Sequence, residues 1–395
     1  MVRLLDDGLS LDPFRCEEDT YTPDEAPRLS ITVRNTGLEE RRVRVDLRHG
    51  ATVRNWEGPI AARGSHTASF ELPAGGRGLQ RIEAELRDAD QDGVLDRAES
   101  AYVVRSPEDW PETPTLAFED NVFTLGGVPR ILLGSDAYVV AFTSSSEGPL
   151  AWARDLDRCR DYGLDVYENL HFPWYPGGFT NHEMRQIEGF AYLAAERGRQ
   201  YMAGWLIGAD TWVSDEVLDD QAAFLRRAAA RTAGAGHLIH YINGDLRGSS
   251  EPEQDGTGER FRAWLLQRHG GPDGLRAAWG DELEWPIDHI PFLPSESPRW
   301  DSVRAMDYAR FAVAETLRWN ERLAAALRET GGGQPITNEY YQMPMDGVDL
   351  QQTIGPIDVA NIGFFGHEKG RDLADFTTAV AFADSRARGK GVNVG

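Results

Sequence analysis

From Val2 to about Val104 apolar residues recur at every second position, and turn residues interrupt the pattern. "RLSITVRNTG" (28–37) and "RRVRVDLRHG" (41–50) alternate cleanly, with "GLEE" between them read as a hairpin turn. "HTASFELPAGG" and "GLQRIEAELRD" repeat the theme. Period two puts one side of each strand in a core and the other in water. Several short strands so spaced predict an antiparallel β-sandwich of immunoglobulin type over residues 1–105. "SPEDWPETPT" (106–115), with three prolines, predicts a linker.

Beyond it the rhythm changes. "RILLGSDAY" (130–138) reads as a strand and "PLAWARDLDRCRDYG" (149–163) has helical spacing. "LDVYENLHF", "QYMAGWLIG" and "HLIHYINGD" are further strands, separated by the helical "QIEGFAYLAAERG" and "LDDQAAFLRRAAARTAG". A long helical excursion precedes "QPITNEYY" (334–341), "IDVANIGFF" (357–365) and "GKGVNVG" (389–395). Apolar strands alternating with helices predict a parallel sheet with helices outside. Seven such strands over 116–395 fit a TIM-type (β/α)8 barrel, which would have eight in about 250 residues. The alternative, a doubly wound open sheet, would carry a glycine-rich phosphate loop after its first strand, and "LLGSDAYVV" has none.

Composition narrows the partners. The 395 residues carry 64 acidic against 41 basic side chains, a net charge of −23. That balance disfavours nucleic acid and anionic membrane as partners, because both require a basic footprint. Lys369 and Lys390 are the lysines, so Schiff-base chemistry has almost no candidates. Two cysteines, Cys16 and Cys159, exclude a disulfide framework or a cysteine-rich zinc site. No apolar run reaches membrane-spanning length, and no signal-peptide pattern opens the chain.

One segment carries charge of another kind. "DADQDGVLDRAE" (88–99) packs five carboxylates into twelve residues. Asp88, Asp90, Asp92, Gly93, Val94, Asp96 and Glu99 fall at positions 1, 3, 5, 6, 7, 9 and 12 of an EF-hand-type calcium loop. Strand-like flanks place it in a hairpin of the sandwich, where a structural Ca²⁺ would neutralise carboxylates that otherwise repel. The expected ligands are Asp88, Asp90, Asp92, Asp96 and Glu99 with the Val94 carbonyl. The alternative is a solvated acidic turn. A calcium site of millimolar affinity would fit an extracellular protein, with a cytoplasmic one left open.

In a barrel, chemistry sits at the C-terminal strand ends. Reading those ends gives Asp136, Glu168, His171, Trp174, Trp205, Asn243, Asp245, Asn338, Glu339, Tyr340 and Asn361. Aromatic faces stack on sugar C–H faces, carboxylates and amides bond hydroxyls, and glycosidic cleavage needs two carboxyl groups flanking the bond. The set points to carbohydrate. His240 lies mid-strand and reads as a core histidine.

The run "FRAWLLQRHGGPDGLRAAWGDELEW" (261–285), then "DYARFAVAETLRWNERLAAALRE" (307–329) and "QPITNEYY", resembles family 42 of the glycoside hydrolases, β-galactosidase-like barrels of clan A. The matching positions are Phe261, Trp264, Leu265, Gly270, Leu275, Ala278, Trp279, Gly280, Trp285, Asp307 and Phe311. Trp279 and Trp285 are expected to be packing residues. The resemblance implies an oligo- or polysaccharide substrate, retention of configuration, an acid/base glutamate after an asparagine at the fourth strand, and a nucleophile glutamate at the seventh. Here the aligned pair is Gly244–Asp245, so Asp245 is the candidate proton donor, and Asn243 could partly replace the missing amide. Glu339 is the substitute second carboxylate, and a C-terminally truncated barrel is expected because the chain stops at Gly395. Asp136, His171, Trp174, Trp205, Asn243, Asn338, Tyr340 and Asn361 are the expected substrate contacts. The rival is a non-catalytic carbohydrate-binding or surface protein with an inert barrel.

Overall fold

The computed structural model describes residues 8–91, 93–119, 122–138, 148–170, 178–244, 246, 248, 256–293, 301–330, 332–341, 349–363 and 373–394. They form two compact units. One holds residues 1–113, 133–167 and 180–201; the other holds 114–132, 168–179 and 202–395.

The first unit opens with two sheets. Strands β1 (Leu9–Leu11), β3 (Arg28–Asn35) and β6 (Ser65–Glu71) pair in the order β1-β3-β6. Strands β2 (Thr20–Tyr21), β8 (Val94–Val104), β7 (Gly78–Asp88), β4 (Arg41–His49) and β5 (Thr52–Ile60) follow in that order in the second sheet. Leu29, Ile31 and Val33 from one sheet and Val43, Val45, Leu47, Ile82 and Leu86 from the other share one buried cluster, as the alternation requires.

The expected hairpin across "GLEE" does not form. β3 is paired on both edges, by β1 and β6, so β4 joins the other sheet beside β7. Asn35 secures this crossing. Its buried Nδ2 donates to the carbonyls of Glu39 (2.7 Å), Ile60 (3.2 Å) and Ala61 (3.2 Å), while its Oδ1 accepts from Gly37 N–H at 2.9 Å. Alternation tells which face of a strand is buried, and it leaves the partner strand open.

Two helices complete this unit, α1 (Pro149–Asp161) and α2 (Asn181–Glu196). Thr180 and Glu183 close a reciprocal capping box at the start of α2, which satisfies backbone donors that the first turn leaves unpaired. Gly189 lets α2 lie directly on β2, since a Cβ there would stand 2.1 Å from Thr20 Oγ1.

A seven-stranded parallel sheet runs in strict sequence order: β12 (Gly134–Tyr138), β13 (Val166–Leu170), β14 (Gln200–Gly204), β15 (Leu238–Tyr241), β16 (Ile336–Tyr341), β17 (Val359–Gly363) and β18 (Gly391–Val394). This is the strand-and-helix order of a (β/α)8 barrel through its seventh strand. A small antiparallel sheet of β9 (Leu116–Glu119), β10 (Val122–Leu125) and β11 (Val128–Pro129), which the sequence pattern did not single out, precedes it.

Helices α3 (Asp215–Arg231), α4 (Thr257–His269), α5 (Pro272–Trp279), α6 (Val303–Thr330), α7 (Leu350–Thr353) and α8 (Leu373–Arg386) intervene. The excursion between β15 and β16 has its own core of Phe261, Leu265, Leu275, Trp279, Tyr308 and Phe311. Trp279 is buried there and donates Nε1–H to the fully buried Asp307 at 2.9 Å. Trp285 packs against the same cluster under the Arg304 guanidinium. Both tryptophans are structural. No helix among the described residues is long and apolar enough to cross a membrane.

Candidate active site

The backbone ladder brings the strand ends to one level. Trp205 N–H bonds the Tyr241 carbonyl at 2.9 Å, and Ile242 N–H bonds that of Thr337 at 3.0 Å. On β16 and β17, Glu339 pairs in register with Asn361, which pairs with Asn393 of β18. Positions 243, 339 and 361 therefore share the C-terminal margin of three neighbouring strands. Asn361 is buried there. Asp136 lies in β12, and Glu339 and Tyr340 in β16, as strand positions. His171, Trp174 and Asp245 lie outside the described residues.

Three expected substrate contacts are turned to other work. Trp205 is 0% exposed; its ring lies edge-on to Phe224 of α3, and its Nε1–H donates to His240 Nδ1 at 3.1 Å. An indole so enclosed offers no face to a sugar ring, so Trp205 is a strut beneath the margin. Asn243 was expected to lend its amide to the site. Its Oδ1 instead accepts from Gly208 N–H at 2.9 Å and its Nδ2 donates to the Ala209 carbonyl at 2.9 Å. Asn338 is likewise committed: its Oδ1 accepts from Asn243 N–H at 3.0 Å and its Nδ2 donates to Asn320 Oδ1 at 2.7 Å.

His240 is the core histidine the sequence suggested, with a neutral ring. Burial pushes its pKa down to about 3. Because Nδ1 accepts from Trp205, the proton resides on Nε2, which has no hydrogen-bond partner among the described residues.

Asn320 was missed by sequence reading. It is fully buried on α6, in line with Thr316, Leu323 and Leu327. An asparagine on the apolar stripe of a helix was the available signal. Buried Glu168 and Asn169 of β13 add polar groups near the end of their strand.

The acidic segment takes another shape from the expected loop. Asp88 N–H bonds the Gly93 carbonyl at 2.9 Å, closing a tight turn, and Val94 already begins β8. Glu99 lies five residues further on, exposed and opposite Glu83, about 17 Å along the strand. It cannot serve as the twelfth-position ligand. Asp96 turns inward and accepts from the backbone N–H of Leu11 (2.8 Å) and Arg97 (2.8 Å). Asp88 accepts from Arg41 at 2.7 Å and from the N–H groups of Asp90 and Gln91. Arg41 first, and those N–H groups next, hold its carboxyl below the usual carboxylate range. Asp92 lies outside the described residues. Among the described residues no group of three or more His, Cys, Asp or Glu is placed to hold a metal ion.

Residues 229–391 match the glycoside hydrolase 42 family model, described as β-galactosidase. A curated relative, the β-galactosidase Bga of Halorubrum lacusprofundi, is 25% identical over 135 residues, covering 32% of this chain and 19% of its own length. The β-galactosidase of Bacillus circulans sp. alkalophilus superposes with a TM-score of 0.53 at 13% identity, over 65% of this chain and 43% of that one. The enzyme from the psychrophilic Marinomonas ef1 gives 0.51 at 15% identity, over 66% and 47%. The chain spans less than half the length of each, and at these identities the likeness is one of fold.

Proposed function

We propose that this chain is the barrel-bearing part of a retaining glycoside hydrolase acting on β-galactosides or related oligo- and polysaccharides. The family match over 229–391 carries this reading, because that segment contains Asn338 and Glu339 of β16, Asn361 of β17, and Asn243 and Asp245, which follow β15 in the sequence. Asp245 is the proposed proton donor. A carboxyl group here must be protonated at rest to give its proton to the leaving oxygen, and burial is the ordinary way to raise its pKa. Glu339 is the proposed opposing carboxylate. In a retaining course that group attacks the anomeric carbon as the leaving group departs, and the donor then deprotonates the water that releases the sugar. This geometry needs the carboxyl groups about 5 Å apart.

Azide rescue tests the assignment. Glu339→Ala in azide should yield a glycosyl azide of inverted configuration, and Asp245→Ala one of retained configuration. Unimpaired hydrolysis by Glu339→Ala would give the nucleophile's role to another carboxylate. The second reading, a carbohydrate-binding protein with an inert barrel, is favoured by Gly244–Asp245 standing where the resemblance has Asn–Glu. It predicts sugar binding with no turnover.

The strand orders β1-β3-β6 and β2-β8-β7-β4-β5 support an immunoglobulin-like Greek key for the sandwich. For calcium the proposal is a reduced site: Asp88, Asp90 and Asp92 with the Val94 carbonyl, in competition with Arg41. Such a site would be weak, which suits an extracellular setting.

A further inference from the structure

A line of hydrogen bonds, buried between Asn320 and Asn243, runs from the residue before β18 to the segment after β14. It begins at Lys390, whose ammonium donates to the carbonyls of Ile354 (3.1 Å), Gly355 (2.7 Å) and Ile357, just past α7. Asn320 takes the preceding carbonyl, that of Thr353, with Nδ2 at 3.2 Å. Asn320 Oδ1 accepts from Asn338, Asn338 Oδ1 accepts from Asn243 N–H, and Asn243 clasps Gly208 and Ala209. All three asparagines are 0% exposed.

Each amide has its oxygen on a donor and its nitrogen on an acceptor, so flipping any one of them breaks two bonds. The orientation of the whole line is fixed. Three buried amides are a costly way to fill space that leucine fills for less, since each must keep its partners to offset desolvation. What they add is position. The ladder between β15 and β16 includes the backbone bond of Ile242 N–H to Thr337, and the Asn338 side chain takes the next N–H along, that of Asn243. Two residues later in the sequence comes Asp245.

We propose that Asn338, acting through Asn243, is a positioning residue for the proton donor: it fixes the exit of β15 at Asn243, two residues before Asp245 in the sequence. The inference rests on the glycosidase reading, and its test separates the two. Asn338→Leu removes the acceptor for Asn243 N–H. Asn338→Asp keeps it, because a carboxyl group buried at this point stays neutral and can both accept from Asn243 and donate to Asn320.

The measurements are kcat, KM and the pH profile on an aryl β-galactoside, with amide hydrogen exchange at Asn243. In Asn338→Leu, kcat should fall about 100-fold, the cost of a small misplacement of a reacting group. KM should change little, the basic limb set by the donor's pKa should move, and exchange at Asn243 should quicken. Asn338→Asp should recover most of each. An active wild type whose folded Asn338→Leu variant keeps its kcat and pH profile overturns the inference alone, as does an Asn338→Asp variant no better than Asn338→Leu. A wild type with no turnover overturns the glycosidase reading and the inference together.

Discussion

Arg105 donates to Glu188 at 2.8 Å across the contact between the strand end of β8 and helix α2, with the two side chains only 4% and 7% exposed. The guanidinium also lies over the Trp110 ring, 4.3 Å from its centroid, and bonds the Pro107 carbonyl. On the same helix Arg185 meets Glu25 and Gln186 meets Asp19, so the sandwich is fastened along one face of α2. A module tethered only by a linker would show none of this. The first βα segments and the sandwich form one compact unit.

Removing one partner of a buried pair strands the other charge, which costs about 3–5 kcal/mol. Arg105→Met should lose that much stability in urea unfolding. Adding Glu188→Leu should recover most of it, because replacing both charges by apolar groups removes the desolvation cost. A double variant no more stable than the single one would contradict this.

His240 sets a pH dependence. Its folded pKa, about 3, lies below the 6.5 of the free side chain, so between those values the unfolded chain binds the extra proton. Stability is therefore unaffected above pH 6.5 and falls as pH drops towards 3, by at most about 1.4 kcal/mol per pH unit from this group. His240→Asn, whose Oδ1 stands where Nδ1 accepts from the Trp205 indole and which does not titrate, should flatten the melting temperature between pH 4 and 6. An unchanged slope would mean that other groups govern it.

The turn at Asp88–Gly93 predicts an uneven response to calcium. Millimolar Ca²⁺ should raise the melting temperature of the wild type and of Glu99→Ala alike, and fail to raise that of Asp90→Ala. Loss of the response in Glu99→Ala would restore the twelve-residue loop. No response in the wild type would leave Arg41 as the neutralising charge.

Helices α3 and α6 carry the pairs Asp215–Arg318, Asp219–Arg322 and Arg226–Glu329, each 103 residues apart in sequence. Their side chains are largely open to water, where such pairs contribute little. The excess of 23 negative charges acts over the whole surface. Raising NaCl from about 0.01 to 0.5 M shortens the screening length several-fold and should stabilise the protein. A fall in melting temperature over that range would show that the pairs outweigh the repulsion.

Much of the fold could be read from periodicity. All seven parallel strands stand where alternation of apolar strand and helix put them, because a strand buried on both faces has few other sequences open to it. The edge strand β5, "TVRNWEGPI", was not singled out, since its exposed positions carry no clean alternation. The pairing of β3 with β6 was hidden for a different reason: it depends on where Asn35 sends the chain. At the site, sequence marked the strand ends and could not tell which way an amide turns. Asn243 and Trp205 have the chemistry of sugar contacts, and their partners are a backbone segment and a histidine. Asn320, deep in a helix, has the most structural consequence and the faintest signal.

Hydrolysis of an aryl β-galactoside by this chain and by Asp245→Ala, assayed side by side, tests the glycosidase reading most directly. The wild type should turn over, and the variant should fall by about 100-fold or more, as loss of a general acid requires. Equal rates in the two proteins would contradict it.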